Sequence, residues 1–132
     1  MILDTSAIVA IFQYEPEAAI FTQAIENHRP VRVSAATWFE AAVVVDGNRS
    51  PALSRRFDEF IHEAGVEIEQ VTARQAELAR EAYRAFGRGS GHPAHLNFGD
   101  CFAYALAMDK DEGLLFKGND FANTDVRRVA IS

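Results

Sequence analysis

The sequence predicts an α/β fold: one domain over residues 1–132, with a mainly parallel, twisted central sheet flanked by helices. Three observations carry this expectation. Short apolar runs, Ile2-Leu3, Val31-Arg32-Val33 and Gly113 to Lys117, alternate with longer segments of helical periodicity. The joints between them are short and rich in Gly, Pro, Ser and Asn, as in units that run strand, helix, strand. A chain of 132 residues has room for one core and buries about two-thirds of its unfolded surface.

Met1-Ile2-Leu3 is a short strand that ends in an acid, Asp4. Thr5 and Ser6 are each competent to cap the next helix, expected over Ala7 to Tyr14. Pro16 suits a first helical position, and Phe21, Ala24, Ile25 and His28 follow at helical spacing up to Pro30. Val31 to Val33 is a second strand. Ser34 caps a helix from Ala35 to Asp46, which Gly47-Asn48 stops. Ser50-Pro51 opens another, with Leu53, Phe57, Phe60, Ile61 and Ala64 on one face and Gly65 at its end. Val66 to Val71 alternates apolar and acidic residues, as an edge strand does. Thr72 caps a helix that carries Ala76, Ala79, Tyr83 and Phe86 on one side. Gly87 to Pro93 is a loop. A helix from about Asn97 to Met108, a strand over Gly113 to Lys117, a turn at Gly118-Asn119 and a last strand from Val126 to Ile131 complete the chain.

Composition narrows the function. Hydrophobic residues make up 48% and charged residues 24%, which is ordinary for a globular protein. The single cysteine, Cys101, excludes an internal disulfide and fits a reducing, cytoplasmic setting. No apolar run reaches membrane-spanning length, and the first residues lack a basic region followed by a long apolar stretch, so no membrane association is expected. Nineteen acids against 13 Lys plus Arg give a net charge of −6, which opposes a protein that coats nucleic acid. Two divalent cations would reduce that charge to −2, so the placement of the acids matters more than their number.

Four acids stand apart from the solvated majority. Asp4 follows an apolar strand directly; it reads equally as a helix cap and as a site residue. Glu40 is the only ionisable residue between Val33 and Val45, in a helix apolar nearly all round and expected to be buried on more than one face. A lone carboxylate there is costly unless it is paired, protonated, bound to metal or able to reach solvent at an edge. Asp100 is likewise alone between Leu96 and Met108, in a first turn where the helix dipole favours an anion, so a capping acid is the competing reading. Asp120 follows a buried strand through Gly118-Asn119, where a turn Asp is common. Together they gain meaning, because open α/β sheets bind ligands beyond the carboxyl ends of their strands. Four carboxylates converging there would repel one another without cations. With Mg²⁺ or Mn²⁺ they become hard oxygen ligands, and such a cluster suits phosphodiester hydrolysis.

Other residues carry less. Arg80, Arg84 and Arg88 recur every fourth position and suit either phosphate contact or an ion-paired face with Glu77 and Glu81. Lys117 adjoins the Asp120 turn and is the best single candidate for a phosphate contact. His92 and His95 lack the Cys or His neighbours that zinc requires. Cys101 reads as a small buried residue, and Trp38 and Phe39 as core.

These stretches resemble the PIN-domain nucleases, and among them the VapC-type ribonuclease toxins of toxin–antitoxin pairs. The matching residues are Ile2-Leu-Asp-Thr-Ser-Ala7, Glu40 after Trp38-Phe39, the run Gly91 to Ala107 with Asn97-Phe-Gly-Asp-Cys101, and Leu114-Leu-Phe-Lys-Gly-Asn-Asp-Phe121 with Thr124-Asp125-Val126. By this resemblance Asp4, Glu40, Asp100 and Asp120 form the acidic quartet that binds Mg²⁺ or Mn²⁺ and performs catalysis. Ser6 assists with its hydroxyl, which otherwise reads as a cap. Asp125 sits where such proteins often carry another acid near the metals, with a turn or strand-start role equally open, and Asn119, beside Asp120, suits water or phosphate binding, although such a residue more often only shapes the turn. The resemblance further implies RNA as substrate, a homodimer, and a small VapB-like antitoxin through which alone DNA is reached. The early helices, to about Gly65, would carry the antitoxin groove. Two other classes compete: a non-catalytic module of the same fold acting through antitoxin binding, and a phosphatase or phospho-receiver domain using Asp4. The latter lacks the second Asp two residues on that many aspartyl phosphatases carry.

Overall fold

The computed structural model describes residues 1–131. Its elements run β1 (Ile2–Leu3), α1 (Thr5–Phe12), α2 (Ala18–Asn27), β2 (Arg32–Ser34), α3 (Ala35–Asp46), α4 (Pro51–Glu63), β3 (Glu67–Glu69), α5 (Ala73–Phe86), α6 (Phe98–Lys110) and β4 (Leu114–Leu115). The four strands are all parallel, in the order β3-β2-β1-β4, with Ile2 opposite Leu114 and Leu3 opposite Leu115. The expected α/β architecture is therefore present.

Because successive strand residues face opposite ways, these short strands feed two cores. Leu3, Val31, Val33 and Leu115 join Ala7, Ile8, Phe21, Ala41 and Phe57 on one side of the sheet. Ile2, Leu114 and Phe116 join Ala79, Ala82, Tyr104 and Leu106 on the other. Within the first core, Phe12 meets Phe57 and Phe60 edge to face, with ring centroids 5.6 and 5.4 Å apart, which ties α1 to α4. At the sheet edge, Arg32 bridges Glu67 and Glu69 at 3.2 and 3.3 Å, so the acids that alternate along β3 share one cation.

The helix caps follow the sequence closely. Ser34, Ser50, Thr72 and Asn97 each accept a backbone N–H in the first turn of α3, α4, α5 and α6. Replacing Thr72 by Ala removes the acceptor of the Gln75 N–H, now at 3.1 Å. The expected cost is about 1 kcal/mol in a urea melt.

Several boundaries and faces differ from expectation. Helix α1 starts at Thr5, not Ala7, because Asp4 itself is the cap. Pro16 lies in the turn before α2, which starts at Ala18. The strand expected over Val126 to Ile131 reduces to one parallel bridge between Leu114 and Arg128. Only the Leu114 backbone serves it, accepting from Val129 N–H and donating to the Arg127 carbonyl. On α5 the buried side is Gln75, Ala79 and Ala82, while Ala76 and Tyr83 are exposed. Helix α3 is not buried all round: Phe39 is 64% and Val43 54% exposed, whereas Trp38 packs on the first core. The apolar periodicity of α3 is nearly continuous, so it cannot indicate which face is left open.

Candidate active site

Asp4 sits where β1 gives way to α1. Its N–H donates to the Leu115 carbonyl at 3.1 Å, which fixes it at the carboxyl end of the sheet. Its Oδ2 accepts from the Ser6 N–H at 3.0 Å and the Ser6 hydroxyl at 2.6 Å. Cap and candidate site residue are thus the same side chain, and Ser6 orients it. Asp4 is only 4% exposed. That burial pushes its carboxyl pKa up, the Ser6 hydrogen bonds oppose the shift, and the charge of Glu40 adds to it.

Asp100 lies in the first turn of α6, in a reciprocal pair with the cap. Its N–H donates to Asn97 Oδ1 at 2.8 Å, and its Oδ2 accepts from the Asn97 N–H at 3.0 Å. Here too the capping acid and the candidate site residue are the same side chain. The carboxyl is pushed up to about 6, first by burial; the Asn97 N–H lowers it, and the charges of Asp4, Asp120 and Glu40 raise it further. All three other acids of the quartet thus act electrostatically on Asp100.

Glu40 reaches this cleft from α3. Its Oε1 accepts the Thr5 hydroxyl at 2.5 Å. Its other oxygen lies against the bare Cα of Gly99, beside Asp100. Asp120 is exposed in the turn after β4, where Gly118 holds φ +94, a region that favours glycine. That turn is fastened to the site because Lys117 N–H donates to Ser6 Oγ at 2.9 Å. Asp4, Ser6, Glu40, Asn97, Asp100 and Lys117 share one open cleft of about 510 Å³. Thr5, read from the sequence as a possible helix cap, and Gly99 were not expected at the site; their adjacency to Asp4 and Asp100 is the signal that bears on them.

The remaining candidates are placed differently. The Lys117 ammonium is held by Glu15 and, at 3.1 Å, by Glu17, so a phosphate reaches it only by displacing a carboxylate. Asn119 is exposed, and its carbonyl accepts the Ala122 N–H at 3.1 Å to close the turn. Asp125 accepts the Tyr104 hydroxyl at 2.5 Å, which anchors the segment after the site to α6. Arg80, Arg84 and Arg88 form no ion pair among the described residues, contrary to an ion-paired face with Glu77 and Glu81. Arg80 and Arg84 instead border an apolar groove with Tyr83, Phe98 and Phe102. His92 Nδ1 accepts the Ala94 N–H, and its ring stands on Phe86 with centroids 5.0 Å apart. Cys101 is buried and its thiol is pushed up to about 11, by burial and then by Asp100, so it stays protonated at neutral pH.

The donor set is all oxygen and all acidic. None of Asp4, Glu40, Asp100 and Asp120 joins an ion pair among the described residues, so this negative charge has no protein counter-ion. That chemistry fits a hard divalent cation. Among the described residues no three Asp, Glu, His or Cys side chains close into a ready-made cage. Mg²⁺ does not need one: it keeps several waters and takes one or two carboxylates. Three of the repelling carboxylates are held in place by donors: Asp4 by Ser6, Glu40 by Thr5 and Asp100 by the Asn97 N–H.

The PIN domain family matches residues 1–127. Ribonuclease VapC28 of Mycobacterium tuberculosis is 56% identical over 129 residues, covering 98% of this chain and 97% of its own. Among solved structures, M. tuberculosis VapC20, a sarcin–ricin loop cleaving toxin, superposes with a TM-score of 0.74 at 17% identity, over 97% of both chains. A toxin–antitoxin complex from Klebsiella pneumoniae gives 0.70 at 19% identity, over 94% of this chain and 92% of that one. At such identities these two structures speak to the fold alone.

Proposed function

The chain belongs to the PIN domain family, and from that premise we propose that it is a VapC-type endoribonuclease, the toxin of a type II toxin–antitoxin pair. In this reading residues 1–132 act as one domain in the cytoplasm; no described helix is long and apolar enough to cross a membrane. The observation that carries the catalytic reading is the meeting of three unpaired carboxylates, Asp4, Glu40 and Asp100, in one cleft, with Asp120 acting on Asp100 through its charge.

Asp4, Glu40, Asp100 and Asp120 would hold Mg²⁺ or Mn²⁺. When bound, the cation lowers the pKa of an attacking water and balances charge at the scissile phosphate. The protein's own part is positional. Ser6 fixes Asp4 through two hydrogen bonds. The Asn97–Asp100 pair holds the second carboxylate at the start of a rigid helix. The first turns of α1 and α6 present their N-terminal dipoles to the same cleft, which favours an anionic backbone. Hydrolysis in line, without a covalent protein adduct, suits a site whose cysteine is protonated.

The partners in this reading are RNA, a second copy of the chain and a small VapB-like antitoxin that alone contacts DNA. A cleft of about 380 Å³ between α1, α2 and α4, bordered by Ile11, Phe12, Ile25, Arg56 and Phe60, suits an antitoxin segment.

The test is direct. Antitoxin-free protein incubated with total RNA cuts it in Mg²⁺ or Mn²⁺ and stops in excess EDTA. Undiminished cutting in EDTA contradicts the reading. RNA that is bound but never cut, with or without metal, returns the chain to a non-catalytic module.

A further inference from the structure

We propose that Gly99 and Thr5 are positioning residues for Glu40, forming a two-sided seat that sets its carboxylate beside Asp4 and Asp100. The proposal rests on the nuclease reading for its consequence in activity, but the seat itself is a matter of geometry.

One side of the seat is a hydrogen bond. Thr5 Oγ1 donates to Glu40 Oε1 at 2.5 Å. The other side is an absence of atoms. A Cβ added at Gly99 would lie 2.4 Å from Glu40 Oε2 and 2.9 Å from its Cδ and Oε1, distances that real Cβ atoms do not reach. The three atoms nearest to such a methyl all belong to the Glu40 carboxylate.

Backbone conformation does not account for the glycine. Gly99 lies within the first turn of α6 and does not hold a positive φ, so its backbone is open to any residue. Glycine is also the poorest helix former apart from proline. A position where alanine would otherwise favour the helix is left bare, and a carboxylate from α3 fills the gap.

The geometry explains how like charges are kept together. Thr5 directly follows Asp4, and Gly99 directly precedes Asp100. Glu40 is therefore tied to the immediate neighbours of both other acids and cannot relax away from either without losing the hydroxyl or leaving the slot. The long Glu side chain spans from α3 to α6; the two helices pack against each other here.

The experiment is a double-substitution cycle on the full chain, read by RNA cleavage in Mn²⁺ and by melting temperature without metal. Gly99→Ala should fold, because the obstructing atoms belong to the end of a flexible side chain. It should lose about tenfold or more of cleavage and need more Mn²⁺ for half-maximal rate. Thr5→Val should behave likewise, and Thr5→Ser should recover near wild-type rate. In the Glu40→Ala background the slot is empty, so Gly99→Ala should raise the melting temperature by roughly 2–5 °C. In the wild-type background that rise should be absent or reversed. Equal shifts in the two backgrounds, failure to fold in both, or unchanged cleavage in Gly99→Ala would overturn the proposal. If the wild type cuts no RNA, the nuclease reading fails, while the melting-temperature cycle still reports on the seat.

Discussion

Asp100→Asn abolishes RNA cleavage, by about a hundredfold or more, and raises the stability of the metal-free protein at pH 7.5. The two effects have one cause. The Asp100 carboxyl titrates at about 6 in the folded protein, against an ordinary 3.8. Discounted for solvent screening of a carboxyl that is only partly buried, its ionised form at neutral pH costs the metal-free fold on the order of 1–2 kcal/mol. Asparagine keeps an oxygen for the Asn97 N–H but gives up the favourable interaction of a charge with the helix dipole, about 0.3–1 kcal/mol. The net gain is on the order of 1 kcal/mol, a rise of a few degrees in melting temperature. The sign with pH follows from proton counting. Between pH about 4 and 6 the folded state binds more protons than the unfolded state. Acidification from pH 7.5 to 5.5 thus stabilises the metal-free wild type through this group, and Asp4, raised in the same direction, adds to it. Asp100→Asn should lack the Asp100 share of that pH response. Melting curves of both proteins in EDTA at the two pH values check it.

Cation binding in this cleft should reverse the balance. In the wild type, Mn²⁺ at a hundred times its dissociation constant should contribute about 2.7 kcal/mol of stability, a shift of several degrees. The carboxylates must be deprotonated to bind, so this gain weakens as pH falls through about 6, the value for Asp100. The metal-dependent shift in melting temperature should therefore be large at pH 7.5, small at pH 5.5, and absent from Asp100→Asn at either. A thermal scan over a Mn²⁺ series measures all three. A shift that survives the substitution would move the cation away from this cleft.

The fold was legible because its signals were local. Ser34, Ser50, Thr72 and Asn97 announced helix starts through side-chain chemistry that needs no tertiary partner. The alternation of short apolar runs with helices gave the parallel sheet. What periodicity could not carry was which apolar face stays open: Phe39 and Val43 read like core but lie on the surface. The last strand shrank to a bridge because pairing depends on a distant neighbour, Leu114, and not on the β-forming sequence alone.

For the candidate site, Glu40 and Asp100 stood out as lone acids in apolar helices, while Asp4 and Asp120 were marked only by following strands and gained their role from the family resemblance. The choice posed by the sequence between cap and site residue dissolved in the structure, since Asp4 and Asp100 each spend an oxygen on a helix terminus while lining the cleft. Thr5 and Gly99 were silent because their roles exist only once Glu40 arrives from another helix. Lys117, promising by proximity, is engaged by Glu15 and Glu17, residues about a hundred positions away in the chain.

The most direct measurement is a Mn²⁺-soaked crystal read by anomalous scattering. A strong peak in this cleft, among the carboxylates of Asp4, Glu40, Asp100 and Asp120, is the predicted result. Saturating Mn²⁺ that leaves this cleft without a peak, while the same protein cuts RNA, would contradict the account.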